Sequence, residues 1–156
     1  MAIMLLLSAC LKTDEYPNEP IIEFNEFAFF NDSGRVAFSF TDGDGDLGLN
    51  EGDNESPFDT GSVYYNNVFI KYYEKVNGVW QQGISPLGNP IEFNYRFERL
   101  TPSGKNKALK GKIIVDIVPI CYNPFSADND TVMYKIKIAD RSLNLSNEIE
   151  TGELIR

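Results

Sequence analysis

Apolar side chains recur at every second position in several short stretches, and this pattern constrains the chain more than any other feature. Val36, Phe38 and Phe40 alternate with Ala37, Ser39 and Thr41. Phe93, Tyr95 and Phe97 alternate with Asn94, Arg96 and Glu98, and Val132, Tyr134, Ile136 and Ile138 alternate with Met133, Lys135 and Lys137. A period of two means an extended strand with one face buried and one wet. No window keeps a helical period over three turns. The run Val68 to Val76, then Asn77-Gly78, then Val79 to Gln82 predicts a hairpin, because Asn-Gly supplies the positive φ angles of a type I′ turn. Ile113 to Ile120 is apolar on both faces apart from Asp116, which predicts a central strand. The segments 21–30 and 147–155 are the expected first and last strands. About eight strands result, separated by Gly, Pro, Asn and Asp. A sheet with one oily face must bury it on another sheet, so the expected fold is an all-β sandwich of about eight antiparallel strands in two sheets.

The C-terminal part carries a resemblance. Ile136-Lys137-Ile138-Ala139 is followed by Asp140-Arg141-Ser142-Leu143-Asn144-Leu145-Ser146-Asn147. This resembles the penultimate strand, loop and last strand of bacterial immunoglobulin-like domains, which read as alternating apolar residues followed by D-x-x-x-N-x-S. Leu143 stands where glycine is common. The resemblance implies an immunoglobulin-like sandwich and names no ligand.

The chain opens MAIMLLLSAC. The apolar run Ile3 to Leu7 is far shorter than the ~20 residues that span a bilayer, and it matches the apolar core of a secretory signal, without the Lys or Arg that commonly precedes one. Leu7-Ser8-Ala9-Cys10 resembles the bacterial lipobox. That resemblance implies cleavage before Cys10 and acylation of the new N-terminal cysteine, each buried CH₂ adding about 0.8 kcal/mol of membrane affinity. The polar segment that follows, with Pro17 and Pro20, reads as an extended tether. Lys12, Asp14 and Glu15 resemble the short charged export signal of surface lipoproteins in Bacteroidota. The expected organisation is a signal peptide over 1–9, a lipidated tether over 10–20 and an immunoglobulin-like domain over 21–156, anchored at the bacterial outer membrane and facing either the periplasm or the outside.

Composition narrows the chemistry. The chain of 156 residues has 14 Lys+Arg against 23 Asp+Glu, a net charge of −9, and no histidine. A negative surface repels phosphate, which disfavours nucleic acid as a partner. Without histidine there is no Ser-His-Asp or Cys-His catalysis and no His-ligated zinc. If Cys10 carries lipid, Cys121 has no disulfide partner; it lies in the apolar Val118-Pro119-Ile120-Cys121-Tyr122 and reads as a small core residue.

One segment has the composition of a ligand site. Asp42-Gly43-Asp44-Gly45-Asp46 precedes Leu47-Gly48-Leu49-Asn50-Glu51-Gly52-Asp53. Three carboxylates so close repel unless a cation lies among them, and the glycines let the backbone curl so that oxygens converge. Hard oxygen ligands at i, i+2 and i+4 suit Ca²⁺, which takes 6–8 oxygens; Mg²⁺ prefers fewer protein ligands and more water. The spacing imitates an EF-hand, with Asp42, Asp44 and Asp46 as the first ligands and Asp53 at the twelfth position. Leu47 in place of the turn glycine, and flanking strands, make it a Ca²⁺-binding β-loop instead. A remote ligand depends on topology. A simple up-and-down order brings Asp128 and Asp130 to the loop, whereas the immunoglobulin-like order brings Asp140 or Asn144.

Adjacent aromatics give a second candidate surface. One ring of each pair in Tyr64-Tyr65 and Tyr72-Tyr73 must face the opposite way from the other, so Tyr65, Tyr73 and Trp80 are the residues available to stack on a sugar. Six basic residues, Arg96, Arg99, Lys105, Lys107, Lys110 and Lys112, gather around a Ser103-Gly104-Lys105-Asn106 turn. The expected function is non-catalytic: an anchored module presenting loops to a protein or glycan, with Ca²⁺ stiffening the acidic loop. The alternatives are a carbohydrate-binding or glycoside-hydrolysing surface lipoprotein, and a purely structural subunit of an envelope complex.

Overall fold

The computed structural model describes residues 15–102 and 107–156; Cys10, Lys12, Asp14 and the turn at 103–106 lie outside them. Among the described residues nine strands form two antiparallel sheets: β1 (Ile21–Phe30), β2 (Ser33–Asp42), β3 (Val68–Val76), β4 (Val79–Gln82), β5 (Glu92–Tyr95), β6 (Leu109–Ile117), β7 (Thr131–Ile138), β8 (Ile149–Glu150) and β9 (Leu154–Ile155). The smaller sheet has the order β1-β2-β6; the larger runs β4-β3-β7-β8, with β5 also on β3 and β9 also on β7. Consecutive strands β2 and β3 belong to different sheets, as do β6 and β7. These are the crossings of the immunoglobulin-like arrangement expected from the sequence.

The alternating rows meet between the sheets. Val36, Phe38, Phe40, Ile113, Val115 and Ile117 from one side pack against Val68, Ile70, Tyr72, Val132, Tyr134 and Ile136 from the other. Asn77 and Gly78 hold φ of 50° and 81°, the turn the hairpin required. Cys121 is buried, and Tyr134 donates its hydroxyl to the Cys121 carbonyl. Burial pushes the Cys121 thiol above its usual range, which suits a packing residue.

Two elements differ from expectation. The run 113–120 is not a central strand. β6 is the edge of the three-stranded sheet, and Ile114 is 58% exposed, since among the described residues no third layer covers that sheet's outer face. The last strand divides into β8 and β9, with Gly152 at φ 72° between them, which turns the eight expected strands into nine.

The seam between the sheets has a polar fastening. Asn147 Oδ1 accepts from the Ile22 amide at 2.8 Å, and its Nδ2 donates to the Ile22 carbonyl at 2.9 Å. Ile22 is buried, so losing Asn147 strands both groups away from water. Asn147→Ala is expected to lower stability by about 1–3 kcal/mol, seen as a lower urea midpoint with unchanged slope.

Candidate metal centre

The period of β2 delivers a carboxylate to the end of the core. Val36, Phe38, Phe40 and Asp42 share one face, so Asp42 points inward and has no exposed surface. Its Oδ2 accepts from the amides of Asp46 at 3.0 Å and Leu47 at 3.2 Å, which folds the loop back over the side chain. Leu47 is fully buried. It occupies the EF-hand glycine position because it plugs the end of the core, not because the loop is a distorted EF-hand.

This return brings three carboxylates together. One oxygen from each of Asp42, Asp44 and Asp46 lies within 4.8 Å of the others. The Oδ1 atoms of all three are buried and have no hydrogen-bond partner. Oxygens bound to one Ca²⁺ at 2.3–2.6 Å lie no more than about 5 Å apart, so the observed spread is that of a shared coordination sphere. Gly45, at φ +69°, makes the approach possible: a Cβ there would lie 2.0 Å from the Lys107 carbonyl oxygen. The open side is a cleft lined by Asp44, Gly45, Asp46, Arg99, Pro102 and Lys107. At Gly43 the amide donates to the Pro17 carbonyl at 2.8 Å, so the N-terminal segment crosses the loop.

The electrostatics follow from crowding. Burial, then the neighbouring Asp44 and Asp46, raise the Asp42 carboxyl to about 7. Asp140 is raised as well, by burial first and also by the charges of Asp46 and Asp44. Such shifts are the expected result of burying carboxylates side by side.

The remaining sequence candidates divide. Asp140 lies beside the group, its strand end bridged to Leu47, as the immunoglobulin-like order requires. It is not one of the three converging residues: Oδ1 accepts from the Asn144 amide and Oδ2 from the Asn144 Nδ2, both at 2.8 Å, so Asp140 and Asn144 close their own turn. Asp46 joins that turn to the site, taking a hydrogen bond from Ser142 Oγ at 2.7 Å. Asp53, expected as the twelfth-position ligand, is corrected. It accepts from the Asn50 amide and pairs with Arg141, which holds its carboxyl below the usual range. Asp128 and Asp130 are corrected too: their loop precedes β7, at the opposite pole from Asp140, where Asp128 closes a local turn on Ser126 and the Asp130 carbonyl takes the Arg156 amide.

The three stacking candidates are half-buried, and each has a cation beside its ring. Arg96 lies 5.1 Å from the ring centre of Tyr65, Lys135 5.3 Å from Tyr73 and Lys75 5.6 Å from Trp80. Sequence reasoning also passed over Arg96 as an individual residue. It donates to the carbonyls of Tyr65, Asn50 and Asp53 at 2.8, 2.9 and 2.8 Å and so staples the long β2–β3 connection. Its place in a run of basic residues hid that role. No known protein family, curated protein or solved structure matches the chain.

The raised Asp42 has a consequence for metal-free protein. Between its unfolded value near 4 and its folded value of about 7, the native state holds more protons than the unfolded chain, so stability falls as pH rises through that window. The expected loss is on the order of 1–3 kcal/mol. Urea denaturation in EDTA at pH 4.5, 5.5, 6.5 and 7.5 measures it, and a flat or rising profile contradicts the crowding.

Proposed function

We propose that this chain is a lipid-anchored, non-catalytic interaction module of the bacterial envelope, whose acidic loop is locked by one Ca²⁺. The observation that carries the reading is the group of three carboxylates at the end of β2, which bring one oxygen each within 4.8 Å of one another and each leave a buried Oδ1 without a hydrogen-bond partner. A bound divalent ion satisfies all three at once, relieves the repulsion on Asp42 and Asp140, and fixes the loop against the 140–146 turn. Cys10 supplies the anchor, and the segment from Cys10 to Pro20 is the tether. The partner is a protein or glycan met through the loops.

Catalysis has less support. A glycoside hydrolase needs a pair of carboxyls that both reach the sugar. Asp42 has the raised pKa of a general acid, but its side chain is wholly enclosed, and the aromatics that would stack the sugar each carry a cation.

Ligand binding to the native state adds RT ln(1+[L]/Kd) to stability. Millimolar calcium is expected to raise the melting temperature by roughly 5–10 °C over EDTA, magnesium less. Asp44→Asn should abolish most of that rise, and an equal midpoint in calcium and EDTA overturns the metal reading. The anchor is tested separately. In bacteria fed an alkyne-tagged palmitate, the wild-type chain should take up label and sediment with membranes, and Cys10→Ser should do neither.

A further inference from the structure

The opposite pole of the sandwich also contains a buried carboxylate. Glu74 ends the inward row Val68, Ile70, Tyr72, Glu74 of β3 and is 6% exposed. Two neutral hydroxyls hold it: Tyr72 donates to Oε1 at 2.9 Å, and Ser126 donates to Oε2 at 2.7 Å. Burial, reinforced by the carboxylate itself, pushes the Tyr72 phenol well above its usual range, so it stays a donor. Among the described residues no Lys or Arg forms an ion pair with Glu74. Arg156, whose charge reaches Tyr72, is committed elsewhere: it donates to the carbonyl and side-chain oxygens of Asn129 and lies 3.2 Å from the ring centre of Tyr122.

Glu74 is also the floor of an opening. A cleft of about 410 Å³ includes it, lined by the apolar Val76, Ile84, Pro86 and Phe125 and by the amide side chains of Gln81, Gln82 and Asn123. Phe125 is 79% exposed and Ile84 49%. Asn123, at the side, is itself fixed, donating to the Ile84 carbonyl at 3.1 Å and accepting from the Phe125 amide at 3.1 Å. A buried carboxylate held only by neutral donors, in a cleft whose apolar lining is Val76, Ile84, Pro86 and Phe125, on a chain of net charge −9, is complementary to a cation with an apolar stem. The apolar side chains, Phe125 among them, take the stem, and the carboxylate takes the charge. Metal ions are a poorer match, because one carboxylate does not furnish the oxygen set they require.

We propose that the Glu74 cleft binds an aliphatic ammonium group, presented either as a free amine or as the lysine side chain of a partner protein. The site is independent of the calcium loop, so either can fail without the other.

The test titrates the full chain, in millimolar calcium, with n-butylammonium, with n-butanol as its uncharged counterpart and with Nα-acetyl-lysine methylamide, following amide resonances of Ser126, Phe125 and Val76 by NMR. Saturating shifts with butylammonium and none with butanol are expected. Glu74→Gln, which keeps one acceptor oxygen and puts an NH2 group in place of the other, should weaken binding by about tenfold or more, and Phe125→Ser, a surface change, should weaken it while leaving the melting temperature unchanged. Equal or tighter binding of the blocked lysine assigns the site to a partner's side chain; binding of butylammonium alone assigns it to a free amine. Equal shifts with butanol, wild-type affinity in Glu74→Gln, or no saturation by either cation overturns the proposal. If Glu74→Gln does not fold, Phe125→Ser and the butanol comparison decide.

Discussion

The inward row of β2 is the constraint on which the rest depends. Burying Phe38 and Phe40 against the larger sheet fixes the register of β2, and a one-residue slip would turn that whole face to solvent. Once the register is set, period two carries Asp42 to the end of the same buried row. A carboxylate there must find donors within its own loop, and it takes the amides of Asp46 and Leu47. Those two bonds use one oxygen, and Leu47 then fills the end of the core. The other oxygen is buried without a hydrogen-bond partner, on a carboxylate grouped with Asp44 and Asp46, so the acidic cluster is a geometric product of core packing.

The charge distribution of the outer faces is of a different kind. Lys112 pairs with Glu26, Arg35 with Asp116, and Lys135 with Glu150 and Glu148. These pairs are solvent-exposed and each adds little to stability. They do, however, occupy many of the cations that could otherwise neutralise the interior carboxylates. Asp53 shows the contrast within a single loop: it has Arg141, and its pKa is lowered, whereas Asp42 lies near two carboxylates and its pKa is raised.

Much of the architecture was legible because period two is a direct record of which face is buried. Val132 to Ile138, Val36 to Phe40 and the Asn77-Gly78 turn all appear where the pattern put them. Ile113 to Ile120 misled because an apolar run records hydrophobicity and not cover; Ile114 lies on a sheet face without a third layer. The first three acidic positions of the candidate site were readable because they are close in sequence. Asp53 was not, since a twelve-residue spacing means an EF-hand only when helices flank it, and here Arg141, 88 positions away, claims the side chain. Glu74 escaped for a related reason: a single carboxylate among alternating residues looks like a solvated one until its facing residues are known. Period two along β3 puts Glu74 on the face of the buried Ile70 and Tyr72.

Both poles therefore repeat one construction with different outcomes. In each, the apolar row of a strand ends in an acidic residue just where the core gives way to loops, Asp42 on β2 and Glu74 on β3. At the β2 end the following residues are glycine and aspartate, so the chain turns tightly and adds carboxylate oxygens, producing a crowded, oxygen-rich point. At the β3 end a hairpin follows, and the loops that close over it bring Ile84, Pro86 and Phe125. They add hydroxyl donors and apolar walls but no second carboxylate. The first environment selects for charge density and coordination number, the second for a cation that is large, singly charged and partly greasy. What distinguishes the two ends is the composition of the covering loop, because the strand geometry beneath them is the same.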